Sequence, residues 1–170
     1  MLQLQGKQRD LGENDLIVSK TDLKGRITYA NDIFLEIADY SLKEVLQQPH
    51  ALIRHEMMPR CVFQLLWERL QAGKEIFAYV VNETKNGDYY WVLAHVTPSM
   101  NAQGEVTSYH SNRRRPSADA VAAISALYDT LLREENAHSN RKQGQEASYA
   151  LLMKILEEKG MGYDEFVLSL

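Results

Sequence analysis

The sequence predicts an α+β fold: a five-stranded antiparallel sheet with helices on one face, followed by a C-terminal helical extension. Three observations carry that reading. In Tyr79–Pro98, two β-branched and aromatic runs flank Lys85-Asn86-Gly87-Asp88, and Asn-Gly between such runs is a strong hairpin signal. A type I′ turn there needs φ > 0 at both central positions, which Asn and Gly tolerate. The element order is two strands, short helices, one longer helix and three strands, which places a helical crossover inside an antiparallel sheet. After Pro116 the apolar period changes from two to between three and four, the mark of amphipathic helices.

Each element has a local cause. Residues 1–13 are polar and expected to be loose. Leu16–Thr21 and Arg26–Ala30 read as strands around the turn residues Asp22-Leu23-Lys24-Gly25. Asn31 is a good N-cap for a short helix with Ile33, Phe34 and Ile37 at helical spacing. Ser41-Leu42-Lys43-Glu44 has capping-box spacing, and that helix stops before Pro49. Pro59 suits the first turn of the longer helix. That helix aligns Val62, Leu66 and Leu70, with Phe63 and Trp67 beside them, and ends at Gly73. Beyond the hairpin turn, Tyr90, Val92, Ala94 and Val96 alternate with Trp91, Leu93, His95 and Thr97. Asn101–Gly104 makes another turn, and Glu105–Arg113 the last strand. In the tail, Val121, Ile124, Leu127, Tyr128 and Leu131 mark one helix. Asn136–Gly144 is a polar break. Tyr149, Leu152, Ile155 and Leu156 mark a second helix, ended by Gly160. The expected division is residues 14–116 for the sheet domain and 117–170 for the extension.

Composition narrows the function classes. A chain of 170 residues with 45% hydrophobic residues can bury a proper core. A net charge of −4 gives no reason to expect nucleic acid or an anionic membrane as partner. No apolar run approaches membrane-spanning length, and the N-terminus lacks the pattern of a signal peptide. The single cysteine, Cys61, rules out an internal disulfide. No Gly-rich phosphate loop, zinc-ligand cluster or nucleophile motif is present. The expectation is a cytoplasmic, non-enzymatic protein.

Several segments, in order, resemble a known family. Thr21–Asn31 is similar to the entry of a PAS domain, and Tyr40–His50 and Lys85–Val92 continue the match. Pro49-His50-Ala51-Leu52-Ile53-Arg54-His55-Glu56-Met57-Met58-Pro59 resembles the P-H-x-x-x-R-H-x-x-M-P segment of the flavin-binding PAS domains of aerotaxis (energy-taxis) receptors. The whole chain, with its tail Glu157–Ser169, resembles the soluble PAS half of energy-taxis receptors that are split into two proteins. The resemblance implies a PAS fold, bound FAD, redox or oxygen sensing, and a membrane-anchored chemoreceptor-like partner in trans, with homodimerisation also open. Where such receptors often read H-P-D, this chain carries Glu56, which weakens the transfer of the acidic contact.

The resemblance assigns Asn31, Arg54, His55, Trp67, Asn82 and Trp91 to the cofactor site, and each has a plainer alternative. Asn31 is also the helix cap. Arg54 suits a diphosphate or ring carbonyl but equally a solvent-facing position, with His55 a satisfied surface histidine. Trp67 would stack on the ring or fill the core. Asn82 is an amide in an apolar strand that requires a partner, in the pocket or at the turn. Trp91 lines the pocket or packs beneath the tail helices. Haem is a rival cofactor, because His50, His55 and His95 are available as ligands. A cofactor-free interaction module is the other alternative. Cys61 reads as a buried bystander rather than a photochemical nucleophile.

The output is expected to leave through a surface. The tail helices bury their stripes against each other and the sheet, or against another subunit or the partner. Deleting residues 117–170 is expected to leave flavin binding largely intact and to abolish the partner interaction.

Overall fold

The computed structural model describes residues 2–170. Strands β1 (Ile17–Thr21) and β2 (Ile27–Ala30) lead into helices α1 (Asp32–Ala38) and α2 (Leu42–Val45), a 3₁₀ turn at His50–Ile53, and α3 (Arg60–Gln71). Strands β3 (Ile76–Glu83), β4 (Tyr89–Met100) and β5 (Val106–Arg114) follow, then α4 (Ala118–Asn136), α5 (Arg141–Lys159) and α6 (Tyr163–Leu168). All strand pairs in the sheet are antiparallel, in the order β2-β1-β5-β4-β3. The predicted α+β architecture is the one observed. No helix among the described residues is long and apolar enough to cross a membrane.

Register decides which residues face inward. Val80 opposes Val92, Asn82 opposes Tyr90, and Ala94 opposes Arg113. These side chains share the sheet face covered by α3 and the 3₁₀ turn. Trp91, paired with Val81, therefore points to the opposite face, where its ring stacks on Tyr128 of α4 at 6.3 Å. Tail and sheet domain share one continuous buried core, with Ile124, Tyr128, Leu131 and Leu152 as enclosed as Ile17 or Val81.

Three local expectations change. The hairpin turn has only Gly87 at positive φ (83°), with Gly87 N–H donating to the Thr84 carbonyl at 3.1 Å and Thr84 N–H to the Asp88 carbonyl at 2.7 Å. One residue in the left-handed region suffices because the loop is longer than two residues. Residues 7–9 are not loose: Gln8 bridges Tyr89 in parallel, and Arg9 sits between Asp39 and Asp88. This pairing is between charges about 80 positions apart in part, so no local pattern announces it. Finally, α5 begins at Arg141, capped by the Asn140 side chain, and runs through Gly144. There the glycine serves close packing: a Cβ at Gly144 would lie 2.2 Å from the Glu135 carbonyl oxygen.

The free edge of β3 is covered by groups from elsewhere. Phe77 N–H donates to Asp164 Oδ1 at 3.0 Å, the Tyr128 hydroxyl donates to the Tyr79 carbonyl at 2.6 Å, and Val81 N–H donates to Met58 Sδ at 3.4 Å. Arg54 bridges Asn82 through the backbone. An edge strand left open would template pairing with other chains; here α4 and α6 close it.

Candidate functional site

Between the inner sheet face and α3 lies a cavity of about 270 Å³. That is slightly below the roughly 300 Å³ lower end of ordinary ligand pockets, so it has room for a flat ring system. One wall is α3, which turns Phe63, Leu66, Trp67 and Leu70 inward at three- and four-residue steps. The other is the sheet, with Val80, Asn82, Ala94 and Val96 from β3 and β4. Gly25 and Pro49 close one side. The glycine (φ 76°) belongs to the turn the sequence predicts, and a Cβ there would meet the Trp67 ring at 3.2 Å.

The polar groups are unusual in being unpartnered. Arg113 is 2% exposed, and its Nε and Nη1 have no hydrogen-bond partner. Only its Nη2 donates, to the Ser19 hydroxyl at 2.5 Å. Asn82 Nδ2, Tyr90 Oη and Arg54 Nε are likewise buried without partners. Buried polar atoms are nearly always satisfied, so four such side chains in and beside one cavity define where a ligand's acceptors belong. The lining includes Lys24, Arg54 and Arg113 but no carboxylate. Burial pushes the Arg113 guanidinium down to about 10 and the Tyr90 hydroxyl up to about 12. Burial, with Arg113 adding to it, pushes the His50 imidazole down to about 3, so His50 is neutral. It sits beside Ser19, with Nε2 and Oγ 3.1 Å apart.

The six residues singled out in the sequence separate into two groups. Arg54, Trp67 and Asn82 line the cavity. Arg54 places its guanidinium 3.5 Å from the centroid of the Phe63 ring, a cation–π contact. Trp67 meets Tyr109 edge-on at 5.5 Å. Asn31, His55 and Trp91 lie outside the lining. Asn31 is the α1 cap: its Oδ1 accepts from Phe34 N–H at 3.1 Å and Val18 N–H at 3.0 Å, while Nδ2 donates to the Leu16 carbonyl. His55 is buried with Nδ1 accepting from Met57 N–H at 3.0 Å, and burial lowers its pKa. Trp91 packs beneath α4.

Sequence reasoning missed Arg113, His50 as a lining group, and Tyr90. Arg113 opens an Arg-Arg-Arg run that reads as a solvated strand end. Only its pairing with Ile17 and Ala94 turns it inward. Of the three histidines considered as metal ligands, His50 alone lines the cavity, whereas His95 pairs with Glu75 on the other sheet face. Cys61 is fully buried outside the lining, and burial pushes its thiol up to about 11. It is therefore a poor nucleophile for any ligand here.

These features define a PAS-type sensor module. The PAS fold family model matches residues 16–110, and the chain belongs to that family. Among known proteins it is similar to the aerotaxis receptor of Escherichia coli (strain K12), with 39% identity over 121 residues, covering 71% of this chain and 24% of the receptor. It is also similar to the nitrogen fixation regulatory protein of Klebsiella pneumoniae, with 33% identity over 97 residues, covering 57% of this chain and 20% of that protein. The chain thus spans about a quarter or less of the length of these relatives. Among solved structures, a light-oxygen-voltage domain from work on a flavin analogue superposes with a TM-score of 0.57 at 24% identity, covering 72% of this chain and 88% of the other. That likeness shows the fold.

Proposed function

We propose that this PAS domain binds a flavin, FAD in the first instance, and senses redox or oxygen status through it. In this reading it is a cytoplasmic, non-enzymatic sensor that reports to a membrane-anchored chemoreceptor-like protein in trans, in energy taxis. The observation that carries the proposal is the cavity itself: mostly apolar walls with unpartnered donors on Arg54, Asn82 and Arg113 and no opposing carboxylate. The aerotaxis receptor among the relatives supports the same direction. A flavin ring supplies reversible two-electron chemistry in which N5 changes from hydrogen-bond acceptor to donor and the N1–C2=O edge gains negative charge.

This chain's residues would hold such a ring in defined ways. Phe63 and Trp67 offer apolar faces from α3. Arg54 and Lys24, with their positive charge, suit a phosphate of a longer cofactor at the cavity's side. The Asn82 amide carries both an acceptor and two donors, so it can serve either state of a neighbouring atom by rotating. Such an exchange is worth a few kcal/mol at most, enough to bias two arrangements of the sheet and tail.

The first test is the spectrum of the purified full chain, before and after incubation with FAD and FMN. Flavin absorption bands are expected, with chromatography of the released cofactor giving its identity. A Soret band would favour haem instead, and a chain colourless even after incubation would favour a cofactor-free interaction module. The second is Asn82→Ala. Losing one hydrogen bond of about 1 kcal/mol should lower flavin affinity by no more than about tenfold. The difference in partner capture between oxidised and reduced protein, measured by co-purification, should vanish. If that difference survives intact, Asn82 has no part in signalling.

A further inference from the structure

We infer that Arg113 is the counter-ion of an anionic group on the occupant of this cavity, and that it tilts the bound ring towards its reduced, negatively charged state. The inference rests on the flavin reading and adds to it a residue and a direction.

The structural case is an uncompensated charge. Arg113 is 2% exposed, so bulk water hardly reaches it. Two of its three nitrogens have no partner, and the third contacts only a neutral hydroxyl, Ser19 Oγ. The Phe34 ring, 5.1 Å from the guanidinium carbon, offers a weak cation–π contact. The neighbouring Tyr90 hydroxyl is itself unpartnered, and the adjacent His50 ring is neutral. No aspartate or glutamate lines the cavity. An isolated buried cation is costly, and proteins that keep one supply a partner. Among the described residues none supplies one. The geometry points to an acceptor brought by the ligand, and the paired, planar N–H donors of a guanidinium match adjacent acceptors in one plane.

The redox consequence follows by linkage. Two electrons from an external reductant (dithionite in the test) and one proton from water convert the neutral oxidised ring to a monoanion protonated at N5. Dithionite is oxidised to sulfite. A fixed cation beside the ring's carbonyl edge binds the product state more tightly than the starting state, which raises the reduction potential.

The experiment compares wild type with Arg113→Lys and Arg113→Met in the full chain. With flavin bound, Arg113→Met should lose at least tenfold of the preference for reduced over oxidised ring, a fall of about 30 mV for a two-electron couple, while Arg113→Lys stays closer to wild type. A folded Arg113→Met chain that no longer retains flavin, beside Arg113→Lys that does, supports the same contact. An unchanged potential in Arg113→Met overturns the inference. A flavin-independent measurement runs in parallel: with bound ligand stripped, Arg113→Met should melt about 2–4 °C or more above wild type, because an unpaired buried charge has been replaced by an apolar chain. A lower melting temperature assigns Arg113 to structure and overturns the inference. If wild type takes up neither FAD nor FMN, the flavin reading fails, and the melting comparison still decides whether Arg113 awaits an anion.

Discussion

A chain ending at Pro116 should lose most of its cooperative stability. The sequence alone suggests a free-standing domain that keeps its cofactor without the tail, whereas the packing leads us to expect a loss. Helix α4 covers the outer face of β3 and β4, where Trp91 is 4% exposed, Tyr79 5% and Val81 0%. Removing the tail takes Tyr128 off Trp91 and Tyr79, at about 1.5–3 kcal/mol for each large side chain returned to water. It also strips the β3 edge of the Tyr128 and Asp164 contacts. The sum approaches the 5–15 kcal/mol that a typical domain has in total. Urea denaturation of the truncated and full chains measures this, with aggregation through the open edge as the accompanying result. A truncated domain that unfolds cooperatively within about 1 kcal/mol of the full chain, after allowance for extrapolation error, would show that the tail is a mere appendage.

The second large effect is expected at Glu135. This buried carboxylate on α4 accepts from Arg60 Nε at 2.9 Å, Cys61 N–H at 3.1 Å and Ser148 Oγ at 3.0 Å. Two of these donors belong to the first turn of α3, whose N-cap, Pro59, offers no side-chain acceptor. Glu135 thus caps α3 from another helix, where negative charge also opposes the positive end of the helix dipole. Glu135→Ala should cost about 3–5 kcal/mol, the usual penalty for breaking a buried charged network from one side. Because α3 carries Phe63, Leu66 and Trp67, the same substitution should loosen the cavity wall and weaken flavin retention. Thermal melting and flavin occupancy at fixed ligand concentration read the two effects. Glu135→Gln, which keeps the shape and one acceptor, should fall between. Full occupancy in a destabilised Glu135→Ala chain would sever the tail from the cavity. If the link holds, the tail has a physical route by which the cavity's state reaches the surface.

Much of this was legible in the residues themselves. Element order, the Asn31 cap, the Ser41–Glu44 capping box, the glycine turns at Gly25 and Gly160, and the α3 stripe all follow from local propensity and period, which depend on neighbours within a few positions. Arg54, Trp67 and Asn82 were reachable because they stand in a motif, on a helical stripe, and as a polar break in an apolar strand. What only the tertiary structure decided is where nonlocal partners fall. Cross-strand register, fixed by contacts up to nearly 100 positions apart, turns Arg113 into the cavity and Trp91 away from it. A one-residue change of register would exchange those faces. Helix packing converts Glu135 from an ordinary helix residue to a buried cap and makes Gly144 a contact rather than a break. The sequence determines by itself which surfaces must be buried; the fold alone determines against what, because burial pairs residues by distance in space and the chain orders them by bonds.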